Sequence, residues 1–132
     1  MKVFVSGKIG DEEEARSTMA SLIRRGYEIT LDWTTIPHLK PYQDNSAASS
    51  DAAFREVAGV LDADALIVIP HEHGVGMYVE LGVALGAGKP VYVITSHPSK
   101  TMFFYHPLVK IVASLDELFQ FLELQSSLSS PE

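Results

Sequence analysis

The sequence predicts an α/β fold: a single-domain, doubly wound parallel five-stranded sheet in the flavodoxin-like, Rossmann-like order 2-1-3-4-5. Three observations lead there. Short apolar runs alternate with amphipathic helical stretches along the chain, the pattern of successive βαβ units. The stretch DALIVIPHEHGVGMYVELGVALGAGKPVYVI, from Asp64 to Ile94, holds one such unit whole. At 132 residues the chain has enough material for one core and too little for two.

The elements follow in order. Val3–Ser6 is a short apolar strand, and Ser6-Gly7-Lys8-Ile9-Gly10 is the turn after it. Asp11 to Glu14 put four acids in the first turn of a helix, where the positive end of its dipole favours them. Ala15, Met19, Leu22 and Ile23 give that helix its apolar face, and Arg24, Arg25 and Gly26 close it. Tyr27–Leu31 is the second strand. Asp32 to about Ser50, with Pro37, Pro41 and the run NSAASS, reads as a loop too long for a plain connector and therefore a place for function. A helix over Asp51–Leu61 presents Phe54, Val57, Ala58 and Leu61 on one side. The central unit then supplies a strand (Ala65–Ile69), a turn (Pro70–Gly76), a helix (about Met77–Ala87) and a strand (Val91–Ile94). Ser96–His106 is a second loop and Leu108–Val112 the fifth strand. Ser114 and Glu117 stand at capping-box spacing before a last helix whose core face is Leu115, Leu118, Phe119 and Leu122. The domain is expected to span residues 1–125, with 126–132, rich in Ser, as a disordered tail.

Composition narrows the function classes. Ten Lys and Arg against 17 Asp and Glu give a formal charge of −7, which opposes binding to a nucleic acid polymer but not to a single nucleotide. There is no cysteine, hence no disulfide, thiolate catalysis or Cys-held zinc. No apolar run approaches the roughly 20 residues of a membrane span, and MKVFVSG lacks the order of a signal peptide. A cytoplasmic setting with no membrane partner is expected.

Glu80 is the residue out of place. On a helical wheel it falls between Val83 and Ala87 on one side and Met77, Leu81 and Ala84 on the other. A carboxylate there is costly unless compensated, and positions 76, 77, 83 and 84 offer no cation. It is either a catalytic carboxylate for glycosyl transfer or a structural Glu bonded to a neighbouring turn. Open α/β sheets bind ligands beyond the carboxyl ends of their strands, near the switch point. That rule gathers Ser6, Gly7 and Lys8, then Asp32 and Trp33, then Gly74 and Gly76, as substrate-binding candidates. Ser6-Gly7-Lys8 suits a phosphate or sugar hydroxyl, or is an ordinary turn. Gly74 and Gly76 present amides to an anion, or satisfy a turn needing positive φ. Trp33 stacks on a base beside Asp32, or covers the core edge while Asp32 caps the turn. Glu56 is a second acid near the site if its helix starts where expected. His71-Glu72-His73, His97 and His106 lack metal-ligand spacing, so neither metal nor cofactor is expected.

The segments VFVSGKIG, DADALIVIP and GVGMYVELGVALGAGKPVYVI together resemble the nucleoside 2-deoxyribosyltransferase family, which includes the related 2′-deoxynucleoside 5′-phosphate N-hydrolases. The resemblance covers most of residues 2–125 and is most specific around Glu80. It implies a doubly wound fold and cleavage of the N-glycosidic bond of 2′-deoxynucleosides or their 5′-monophosphates, with Glu80 as nucleophile. Glu56 stands where the hydrolase branch carries an Asp, and the GVG turn leans the same way. The DWTT segment fits neither branch. The family also implies a homodimer or higher homo-oligomer in which a neighbouring subunit lends residues, with the loop Phe103-Phe104-Tyr105-His106 the place to look and Tyr105 its substrate-binding candidate. Transfer to a second base, hydrolysis by water and a non-catalytic nucleotide-binding module are the competing expectations.

Overall fold

The computed structural model describes residues 1–71, 74–97 and 101–129. Five strands form one parallel sheet: β1 (Lys2–Ser6), β2 (Glu28–Ile29), β3 (Ala65–Val68), β4 (Val91–Ile94) and β5 (Val109–Val112), in the order β2-β1-β3-β4-β5. The expected topology is therefore the observed one. The helices are α1 (Glu12–Arg24), α2 (Ser46–Asp62), α3 (Val75–Gly86) and α4 (Leu115–Ser129). Residues of β1, β3 and β4 are almost wholly apolar and buried, as strands covered on both faces must be.

α2 and α3 pack against each other over one face of the sheet. α1 and α4 share the other face. There the Arg25 guanidinium lies 4.0 Å from the centre of the Phe119 ring and also pairs with Glu123, while Tyr27 stacks on Phe119. α1 and α3 stop in the same way. Gly26 (φ 91°) and Gly88 (φ 73°) take the left-handed conformation, and the next residue's amide reaches back to Leu22 and Ala84 respectively. At the start of α4 the Glu117 amide donates to Ser114 Oγ, and the Glu117 carboxylate accepts from the Ala113 amide rather than from Ser114 itself.

Four elements differ from the sequence reading by two residues or more. β2 keeps two of its five expected residues. After Ile29 the Thr30 hydroxyl turns to the Gly59 carbonyl on α2, and the Asp32 side chain caps a short 3-10 turn at Trp33–Thr35. The long loop is shorter than expected because α2 begins at Ser46. Its Ser residues are poor helix formers, but Ala47, Ala48, Ala52 and Ala53 carry the turns between them. α3 begins at Val75, so Gly76 is helical and Gly74 precedes it at φ −91°. The positive φ considered for these glycines is absent. α4 runs on to Ser129, beyond the expected start of the tail. Among the described residues no helix is long and apolar enough to cross a membrane.

Candidate active site

β1 ends and α3 begins at the same edge of the sheet, beside the point where strand order reverses between β1 and β3. Glu80, in the second turn of α3, is 7% exposed and points to Ser6 at the end of β1. The Ser6 hydroxyl, itself fully buried, donates to Glu80 Oε1 at 2.6 Å. The Glu56 carboxyl, brought in by the packing of α2 on α3, adjoins the Glu80 carboxyl. Two adjoining carboxylates repel and cannot accept from each other, which favours a proton on Glu80 between them. Burial pushes the Glu80 carboxyl well above the usual range, and the adjoining Glu56 carboxyl adds to this. The Ser6 hydroxyl works in the opposite direction, since its bond favours the anion. The compensation for a carboxyl inside an apolar arc is therefore a hydroxyl and a proton, with no cation among the described residues bonded to it.

Next to this pair lies a cavity of about 440 Å³, within the range of small-molecule sites. Glu56, Ala52 and Ala53 line it from α2, Gly76 from α3, Ile9 and Glu12 from the β1–α1 side, and Trp33, Ile36, His38, Lys40 and Tyr42 from the segment after β2. A Cβ added at Gly76 would meet nothing within 4 Å, so a ligand can approach the first turn of α3 closely. The amides of that turn have no helical partner and favour negative charge.

The expected site residues separate into two groups. Glu80, Glu56, Ser6, Trp33 and Gly76 are brought together. Trp33 is buried, with its indole N–H donating to the Val5 carbonyl at 2.6 Å, so it serves the core edge and the cavity wall at once. Gly7 lies beneath it: a Cβ there would stand 3.3 Å from the indole and 3.4 Å from Ala15. Gly7 thus makes room for Trp33 rather than for a phosphate. Asp32 accepts from the amide and hydroxyl of Thr34 and does not line the cavity, which is the turn-capping alternative. Lys8 borders a separate small hollow with Asp11, Glu14 and His71. Gly74 faces the His71 ring, which a Cβ would strike at 1.5 Å, so that glycine is closed to a ligand. Tyr105 lies exposed on a 3-10 turn, Met102–Tyr105, away from the cavity.

Other cavity residues were not singled out from sequence. Glu12 was one of four acids already explained by the helix dipole. Its Oε1 accepts from the Gly10 amide at 3.0 Å and stands 2.8 Å from His38 Nε2. These two bonds, the amide first, hold its carboxyl down to about 2. His38, Lys40 and Tyr42 sit in the irregular segment marked as functional, but without periodicity nothing there points to individual residues. His106 Nδ1 accepts from the Leu108 amide within its own turn. Among the described residues no three His, Asp or Glu gather as a metal would require; Glu72 and His73 lie outside them.

No protein-family model and no curated protein sequence matches this chain. Among solved structures, CMP N-glycosidase BcmB from Clostridium botulinum has the same fold. The TM-score is 0.62, covering 93% of this chain and 99% of that protein at 14% identity. At that identity the likeness establishes the doubly wound architecture alone, over the 93% of this chain that is covered.

Proposed function

We propose that this protein cleaves the N-glycosidic bond of 2′-deoxynucleosides or their 5′-monophosphates, in the manner of the nucleoside 2-deoxyribosyltransferase family and its N-hydrolase relatives. The observation that carries the reading is the buried Ser6–Glu80 pair with the half-buried Glu56 beside it, opening on a nucleoside-sized cavity. A nucleotide N-glycosidase with the same fold supports it. Glu80 Oε attacks C1′ and the C1′–N bond electrons leave with the base. The proton between the two carboxyls passes to Glu56, which lines the cavity and hands it to the departing base nitrogen. Water, or a second base, then displaces Glu80 from C1′. Trp33 and the apolar loop residues hold the base, and Gly76 admits the sugar or its phosphate to the first turn of α3.

The test is chromatography of a panel of nucleosides and 5′-monophosphates after incubation, with and without a free acceptor base. Free base from at least one substrate supports cleavage. A new nucleoside formed only with acceptor present marks transfer. Ligand-induced rise in melting temperature with no base released from any substrate would establish the non-catalytic binding module instead.

We also propose that the working form is a homo-oligomer built on the α2–α3 face. Phe54, Leu61, Val75 and Val79 are all about half exposed or more, and the outer side of α3 carries no charged residue. Tyr105 would then be lent to a neighbour's site. Val79→Glu should convert the oligomer to monomer by sedimentation velocity, because a carboxylate desolvated at an apolar contact is strongly disfavoured. A wild-type monomer, or a variant with unchanged sedimentation, would reject this interface.

A further inference from the structure

The cavity has a second carboxylate that the cleavage chemistry does not use. α1 and α2 lie on opposite faces of the sheet, so Glu12 and Glu56 line the cavity from opposite sides. Glu12 is built in rather than loose. Its Oε1 takes both the Gly10 amide and His38 Nε2, and only 17% of its side chain is exposed. Both side-chain bonds use Oε1 and the residue's own backbone amide also favours the anion, so the carboxylate is held as an acceptor in a residue that lines the cavity. An ionised carboxylate accepts hydrogen bonds and cannot donate them.

A nucleobase reaching from the carboxyl pair across the apolar strip of Trp33, Ile36 and Tyr42 brings its polar edge toward this acceptor. Bases differ there in kind. Cytosine and adenine offer an exocyclic N–H₂ donor, whereas uracil, thymine and hypoxanthine put a carbonyl oxygen in the same place. A carboxylate accepts from the amino group, as acidic side chains do from cytosine N4, and repels the carbonyl. We propose that Glu12, fixed by His38, is a specificity-determining residue that selects nucleosides whose base carries an exocyclic amino group at the position of cytosine N4 or adenine N6. This deepens the proposed reaction and rests on reading the cavity as its nucleoside site.

Two matched pairs test it: deoxycytidine against deoxyuridine, and deoxyadenosine against deoxyinosine, each as nucleoside and 5′-monophosphate. Wild-type kcat/KM should favour the amino member by about 10- to 100-fold, the worth of one charge-assisted hydrogen bond against an unpaired acceptor. Glu12→Gln, whose amide can turn to donate, should bring the ratio to within a few-fold, mainly through KM. Glu12→Asp should keep the sign of the preference at reduced rate. Circular dichroism confirms that each variant is folded, and equilibrium dissociation constants are measured on the same pairs. Base release with equal turnover of both members, or a preference that survives Glu12→Gln, overturns the role of Glu12 and leaves the reaction standing. Amino-selective binding that Glu12→Gln abolishes, with no base released, supports this role while removing the reaction. Absence of binding and release for every compound removes both.

Discussion

Glu80→Gln should melt at a higher temperature than the wild type while releasing base at least about 10³-fold more slowly. The two effects have one cause. The Gln side chain has the shape of Glu, so its oxygen still accepts from Ser6 Oγ and its amide can donate to the Glu56 carboxylate. The variant needs no proton between the two groups and buries no potential charge, which should stabilise it by about 0.5–2 kcal/mol. The nucleophile, however, is gone. Activity is read by base release and stability by urea unfolding. A folded variant with wild-type turnover would end the assignment of Glu80 as nucleophile. A variant that is inactive and less stable would mean that Glu80 is chiefly a structural residue.

pH adds an independent check with a defined sign. The Glu80 carboxyl titrates higher in the folded chain than in the unfolded one, so over that window the native state holds more protons. Stability then falls with rising pH, starting near the ordinary Glu value of about 4.3 and ending at the raised folded value. The Glu80 contribution is fully present below that window and lost above it. Glu80→Gln lacks the contribution, so its advantage over the wild type should widen as pH rises. The base-release rate of the wild type should fall over the same range, because the proton lost is the one that the proposed mechanism delivers to the departing base.

The parts of this molecule legible in its sequence are those governed by periodicity. Strand order followed from the alternation of apolar runs and helices, and Glu80 was visible because a charge inside an apolar arc violates a helical rule. Glu56 was less plain. Its significance depends on α2 lying against α3, a tertiary fact, so helix placement offered it only conditionally and the family resemblance added weight. Asp32, Lys8 and Gly74 look like Trp33 and Gly76 in sequence, since all follow strands at the ligand-binding edge. What separates them is local bonding: Asp32 is occupied by Thr34, and Gly74 by the His71 ring. Glu12 was hidden by a sufficient explanation. A helix dipole accounts for four acids equally well whether or not one of them faces a cavity.

Trp33→Ala should cost about 3–5 kcal/mol, a large part of the 5–15 kcal/mol available to a domain of this kind. Ring burial is one reason; the other lies in the sheet. Along β1, the Met1 and Val3 carbonyls accept from the Glu28 and Thr30 amides. The next carbonyl on that side belongs to Val5, and β2 has already ended. The Trp33 indole N–H donates there instead, taking the rung that the short strand lacks. Trp33→Ala therefore removes a buried aromatic, opens a void over Gly7 and leaves the Val5 carbonyl without its donor. Trp33→Phe separates these effects: it keeps most of the ring and loses the N–H, and should cost about 1–3 kcal/mol. Urea unfolding of both variants measures the two. If Trp33→Ala costs less than about 1 kcal/mol, the indole is not closing the sheet edge. If Trp33→Phe costs as much as Trp33→Ala, the missing rung dominates and ring packing is secondary. Because the same ring walls the cavity beside Glu56, either variant should also raise KM for any substrate whose base packs there.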